Sequence, residues 1–401
     1  MSSSELAILA GSILIYGLLS KRLNSGIITL PLAFAAFGFL TGEGGLGIIA
    51  FEPGHGVIHL FAEFTLVMLL FSDAARLDVR QLARERAIAL RMLLIGLPLA
   101  ILLGAGLAAL LFPAITVPAM FLLAAILAPT DAALGQAVIT SPDVPEETRQ
   151  VMTAESGLND GLALPAVMVF AIWAGAKAEG LANGGDIVAF AASQVVLGPL
   201  IGAVVAWVGG SLIDRAIAAG RVTENFEGIA MLALAILAFA GAESLGGNGF
   251  LAAFTGGVVL GCTVRHRCGK LLEFMEEEGQ LLTLFTFLLF GATLLPEALD
   301  SITVPVAIYA VASLFVVRVI AIQLSLIGSG TDLRTGLFMG WFGPRGLASI
   351  LFALLILDSY PVPERAAIHA CVMLTVALSI LLHGLSAAPL ARLYGRNVSS
   401  G

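Results

Sequence analysis

The sequence predicts an all-α, polytopic membrane protein with thirteen transmembrane helices. Its N-terminus lies outside and its C-terminus inside, and helices 5 and 12 are broken within inverted repeats. Three observations predict this. Hydrophobic residues make up 59% of the chain and charged residues only 12%, about half the charged share of a soluble domain. Apolar runs near the ~20 residues that cross a bilayer recur from end to end. Once those runs are alternated across the membrane, nearly all Lys and Arg fall on one side.

The runs, in order, are 5–20, 26–42, 57–73, 88–112, 116–140, 147–175, 186–210, 226–243, 247–264, 280–297, 302–327, 332–357 and 365–391. The second and third are short. Residues 1–5 carry no basic stretch and no cleavage-like site, so the first run is expected to be a span, not a removed signal peptide.

With the N-terminus outside, sixteen of the 20 Lys and Arg sit at inside ends. They are Lys21, Arg22, Arg76, Arg80, Arg84, Arg86, Arg91, Arg149, Arg215, Arg221, Arg265, Arg267, Lys270, Arg334, Arg392 and Arg396. Lys177 and Arg365 are outside, and Arg318 and Arg345 fall within spans. One span more or fewer in mid-chain would scramble this bias. The outer loops carry mainly acids, among them Glu52, Glu179, Asp186, Asp358 and Glu364. Asp78–Arg91 and His266–Gln280 read as amphipathic linkers at the inner surface.

Some functions are excluded early. No basic patch interleaved with aromatics points to nucleic acid. Cys262, Cys268 and Cys371 form no metal pattern, and the bland reading of Cys262 and Cys268 is two free thiols on a reducing side. No cofactor is expected.

The fifth span carries Pro129-Thr130-Asp131 and the twelfth carries Gly343-Pro344-Arg345-Gly346. Proline removes a backbone donor and clashes with the preceding turn, so both are expected to break. The breaks lie seven spans apart. Seven is odd, so the two spans cross the membrane in opposite directions. Spans 4–6 and 11–13 are therefore candidates for an inverted pair whose broken helices meet at mid-depth.

The sixth span supplies the charge: Glu155-Ser156-Gly157-Leu158-Asn159-Asp160. Residues four apart share a helix face. Glu155 with Asn159, and Ser156 with Asp160, make two adjacent stripes and so one polar wedge. Carboxylates inside a bilayer are costly, which makes them functional candidates. The wedge suits a small monovalent cation: Asp160 offers a carboxylate, Ser156 a hydroxyl, and Thr130 and Asp131 can add oxygens from the break. A carboxylate in a partly dry site holds either a proton or a cation. Mutual exclusion at Asp160 then couples cation movement one way to proton movement the other.

Arg318 and Arg345 need acidic partners at that depth. Arg345 is expected to pair with Glu155. Arg318 is expected to balance Asp131 or the carbonyls freed by a broken helix. Glu63 is expected to make an interhelical hydrogen bond, Glu243 to snorkel at the outer surface, and His383 to be a packing histidine, with pH sensing as the alternative. His55 and His59 sit at an outer mouth.

Pro129-Thr130-Asp131 followed by Glu155-Ser156-Gly157-Leu158-Asn159-Asp160-Gly161 resembles the NhaP-like sodium/proton antiporters of the monovalent cation:proton antiporter-1 family. Leu69–Asp73 with Arg76-Leu77-Asp78, and Gly343–Gly346, resemble other motifs of that family. The resemblance implies a homodimer, in which a core bundle (88–177 and 301–401) moves against a scaffold bundle (1–87 and 178–300). It implies ion binding at Asp160, Ser156 and Thr130, with Asn159 fixing the fifth span through Thr130. It also implies electroneutral exchange, because members with Asn before this Asp exchange one cation for one proton. The charge argument agrees, since one exchangeable carboxylate carries one charge each way. The expected function is Na+ (or Li+)/H+ antiport in a prokaryotic plasma membrane, the partners being cation, proton and lipid. K+/H+ antiport is the alternative within the family. A gated cation channel lacks the expected continuous polar lining. An intramembrane hydrolase is disfavoured because Ala154-Glu155-Ser156-Gly157 lacks the first glycine of G-x-S-x-G.

Overall fold

The computed structural model describes residues 29–48, 55–76, 87–178, 184–264 and 269–398, with nine residues between 7 and 18. Lys21, Arg22, Glu52, Arg80, Arg84, Arg86, Glu179, Arg265, His266, Arg267 and Cys268 lie outside them, as does most of the 78–91 linker. The backbone of the second linker is described from Gly269, but not its side chains to Glu278.

The regular secondary structure of the described residues is all helical, with no strand among them. The helices are α1 (Leu30–Thr41), α2 (His55–Ala75), α3 (Ala87–Leu111), α4 (Val117–Ile126), α5 (Ala132–Ile139), α6 (Glu146–Ala178), α7 (Gly184–Ala218), α8 (Glu224–Ser244) and α9 (Gly249–Thr263). They continue with α10 (Gly269–Leu289, extended to Leu299), α11 (Val304–Ser325), α12 (Leu333–Trp341), α13 (Leu347–Ser359) and α14 (Arg365–Val398). Eight helices among the described residues are long and apolar enough to cross a membrane, and four shorter apolar ones are α1, α4, α9 and α13. Both halves of the fifth run and both halves of the twelfth are thus separate short helices, α4 with α5 and α12 with α13.

The starts of these helices follow from local chemistry. Thr29, Thr116 and Thr303 stand as extended N-caps before Leu-Pro, Val-Pro and Val-Pro. Proline there lacks only an N–H that has no helical partner, and its fixed φ suits the first turn. Asn248 caps α9 by accepting from Leu251 N at 2.9 Å. Glu243, expected to snorkel, instead accepts from Gly249 N at 2.7 Å and adds to the same cap.

Three helices carry π-turns: Met92–Gly96 in α3, Phe290–Leu294 in α10 and Ser313–Val317 in α11. Such a turn holds one extra residue and re-aims every side chain after it. Small residues bring helices together elsewhere. A Cβ on Gly257 or Gly261 of α9 would overlap the α2 backbone at Phe71 or Ala75. This close approach suits lipid, where packing and not water exclusion drives association.

The breaks in α4/α5 and α12/α13 meet. Asp131 N–H donates to Pro344 O at 2.8 Å, and Leu347 N–H donates to Asp131 Oδ2 at 2.7 Å. The expected crossing of two interrupted helices is therefore present, and α6 runs past it with Glu155, Ser156, Asn159 and Asp160.

Candidate ion-binding site

The crossing leaves carbonyls without helical partners and helix N-termini without acceptors. Each finds a buried polar group. Asp131 serves both N-termini. Its Oδ1 accepts from Ala133 N at 2.7 Å and Leu134 N at 3.4 Å, at the start of α5, while Oδ2 takes Leu347 N at the start of α13. Arg345 serves the carbonyl ends. Its Nη1 donates to Pro129 O and to Gly343 O, each at 3.2 Å. Ser349 Oγ donates to Ile126 O at 2.8 Å.

His383 closes the last gap. Its Nε2 lies 2.9 Å from Trp341 O, the terminal carbonyl of α12. A carbonyl only accepts, and Nδ1 also faces one, Ser379 O at 3.0 Å. Nδ1 lies 3.1 Å from Ser379 Oγ as well, and Ser379 Oγ accepts Arg345 N–H at 2.7 Å. His383 is thus buried with both ring nitrogens in contact with polar groups.

The expected Glu155–Arg345 pair is not formed. Glu155 is held by Arg318, whose Nη1 and Nη2 donate to Oε1 and Oε2 at 2.8 and 2.9 Å. Arg345 takes the freed carbonyls instead, the role expected of Arg318. The physical reason is the π-turn Ser313–Val317 immediately before Arg318. It re-aims Arg318 towards α6. The glycines around Pro344 make the room. A Cβ on Gly343 would overlap the Arg318 guanidinium, and one on Gly346 would overlap the Asp131 carboxylate.

With Glu155 and Asp131 both engaged, Asp160 differs in its buried Oδ1, which has no hydrogen-bond partner within the protein. It borders a cavity of about 560 Å3 that Asp131 also lines. Ser156 borders the same cavity. Thr130 Oγ1 lies 3.3 Å from Ser156 Oγ and accepts a short hydrogen bond from Asn159 Nδ2. So α6 grips the α4/α5 break by an amide and a hydroxyl, next to an unengaged carboxylate oxygen. The cavity runs from Asp160 past Ser72 and Asp73 of α2 to Arg76, Thr140 and Gly279. Those last three mark the inner ends of α2 and α5 and the start of the tenth run.

Asp73 was not singled out from the sequence as a site residue. It lines the same cavity as Asp160. Three residues before Arg76 at a span end, it reads in sequence as an interfacial charge. His59 lies 4.0 Å from Asp358 at the outer end, and Asp358 is also bonded to Arg365.

The profile described as "Sodium/hydrogen exchanger, transmembrane" matches residues 9–393. The chain belongs to that family. Among curated relatives of this exchanger-family chain, a K+/H+ antiporter NhaP2 of Shewanella oneidensis is 28% identical over 380 residues, 94% of this chain and 64% of the relative. A K+/H+ antiporter NhaP of Alkalimonas amylolytica is 27% identical over 94% of this chain and 63% of its own length. The chain thus spans less than two thirds of those two relatives. A Na+/H+ antiporter NhaP of Pseudomonas aeruginosa is 28% identical over 82% of this chain and 79% of its own length. The structure of the sodium proton antiporter MjNhaP1 from Methanocaldococcus jannaschii at pH 8 superposes with a TM-score of 0.80 at 20% identity, covering 98% of this chain and 97% of that one. The fold of this family member is that of a polytopic antiporter.

Proposed function

We propose that this chain exchanges a monovalent cation for a proton across a prokaryotic plasma membrane, both ions competing for Asp160. The observation that carries the reading is the contrast among the carboxylates. Glu155 is neutralised by Arg318 and Asp131 is taken up by three backbone N–H groups, whereas Asp160 keeps a buried oxygen with no protein partner beside a cavity. A hard cation takes oxygen ligands, and Asp160, Ser156 and Thr130 offer them within one turn of α6 and the adjacent break. Asp131 holds the crossing, and Asn159 holds Thr130.

Exchange is electroneutral in this reading, because the amide of Asn159 leaves Asp160 as the exchangeable charge on α6. The cation is Na+ or Li+, with K+ as the second reading, since relatives carry both K+/H+ and Na+/H+ names. The cavity opens at the ends where the chain's basic residues gather, so the conformation is open to the inside. The core (88–177 and 301–401) moves against the scaffold (1–87 and 178–300). A homodimer agrees with the apolar face of α7, where Val196, Leu200, Val204 and Trp207 are exposed.

The test is exchange in proteoliposomes under an imposed pH gradient, with Na+, Li+ and K+ added in turn. Cation-selective collapse of the gradient, insensitive to membrane potential, is expected. Voltage-driven cation flux without proton movement would instead mark a channel.

A further inference from the structure

We propose that Phe254 of α9 is the side chain that closes either face of the ion site, and that its two seats are Gly161 and Gly157 of α6. The proposal rests on the antiport reading and adds a residue and a step length to it. Phe254 acts without touching the ion, so it is a positioning residue.

In this structure the Phe254 ring lies on Gly161. A Cβ at 161 would overlap ring carbons, so the seat exists only because residue 161 is glycine. Phe254 packs against both large apolar clusters, the one around Leu122 and Phe352 and the one around Met152 and Phe338. The α6 helix runs from inside to outside, so Gly161 lies on the outer side of Asp160. The ring therefore closes the outer side while the cavity reaches Asp160 from the inner side.

Gly157 is four residues earlier. It borders the open cavity beside Ser156 and Asp160. Residues four apart lie on one face, and four residues rise about 6 Å. If α6 moves outward by one turn relative to α9, the ring leaves Gly161 and meets Gly157. It then covers the inner side of Asp160 and frees the outer side. Packed interfaces shift between discrete arrangements, and one-turn steps of one helix past another are a known form of such a shift. Asp160 lies between the two seats along the helix, so one ring suffices for alternating access.

The two glycines then carry different signatures. At 161 a side chain clashes in the present state. At 157, a residue that lines the cavity here, a side chain is expected to interfere in the other state.

The experiment uses the full chain in liposomes with Cys262, Cys268 and Cys371 replaced by serine. Two pairs are introduced, Phe254→Cys with Gly161→Cys and Phe254→Cys with Gly157→Cys, and each is cross-linked with copper phenanthroline. Both pairs are expected to link, and linkage of the 254–157 pair is expected to stop exchange. Separately, Gly157→Val is expected to lose exchange yet retain the Na+-induced rise in Tm. A 254–157 pair that never links, or Gly157→Val at the native rate, overturns the inference and leaves the antiport reading standing. A native chain that does not exchange at all overturns both.

Discussion

Glu155 on α6 and Arg318 on α11 are joined by two charge-assisted hydrogen bonds of 2.8 and 2.9 Å. Both side chains are buried, at 4% and 5% exposure. Losing one partner of such a pair leaves a bare charge in a dry interior, which costs about 3–5 kcal/mol. Glu155→Gln is therefore expected to lower stability by that order, measured by chemical unfolding in detergent. A double-mutant cycle should find coupling of about 1–3 kcal/mol between Glu155 and Arg318. The same cycle with Arg345 should find less than about 0.5 kcal/mol. Equal coupling in both cycles would contradict the assignment.

That pairing also marks where the sequence stops being legible. The broken helices could be read from Pro129 and Pro344, because proline acts locally. The wedge could be read from Ser156, Asn159 and Asp160, because i,i+4 spacing fixes a face. Which arginine meets Glu155 could not be read. It depends on the rotation of α11 about its axis, and the π-turn Ser313–Val317 changes that rotation without any residue that announces it. Asp73 was missed for a related reason, since its place beside Asp160 is set by the packing of α2 against the crossing and not by its own neighbours.

Asp131 separates a structural from a ligand role. Its two oxygens accept three backbone N–H groups from two helices. Asn keeps one acceptor and turns an amide N–H toward a donor. Loss of a cap costs about 0.5–2 kcal/mol, and two caps are affected. Asp131→Asn is expected to lower Tm by several degrees, with the loss of exchange following the loss of folded protein. An unchanged Tm with a raised KM for the cation would make Asp131 a ligand.

Competition at one carboxylate has a pH signature. Binding requires a deprotonated ligand, so the apparent KM for the cation on the inside should rise as that side is acidified, approaching about tenfold per pH unit. Saturating cation should restore the rate. A KM constant over two pH units in proteoliposomes would remove the competition.

His383 contacts Ser379 and Trp341 O, and its ring centroid lies 4.7 Å from that of Trp341, tilted by 33°. Its replacement should harm packing but not the pH response. His383→Gln is expected to lower Tm while the activity–pH curve keeps its midpoint. A shifted midpoint would assign pH sensing to His383.

Asp160 gives the sharpest contrast with Glu155, five residues earlier on the same helix. Its Oδ1 makes no hydrogen bond within the protein, and a carboxylate charge there is costly because it is buried without a partner. Replacing it with Asn therefore removes no established hydrogen bond of that oxygen and removes a charge that is costly to bury. Function demands the opposite, since an amide neither titrates nor balances a bound cation. Asp160→Asn is expected to abolish exchange, to lose the Na+-induced rise in Tm, and to unfold at or above the native temperature without cation. Glu155→Gln should unfold well below it. The two variants, taken through the same unfolding and exchange assays, sort the carboxylates of α6 into one that stabilises the fold and one that carries the ion. Native exchange by Asp160→Asn, or a fall in its Tm as large as that of Glu155→Gln, would reverse that division.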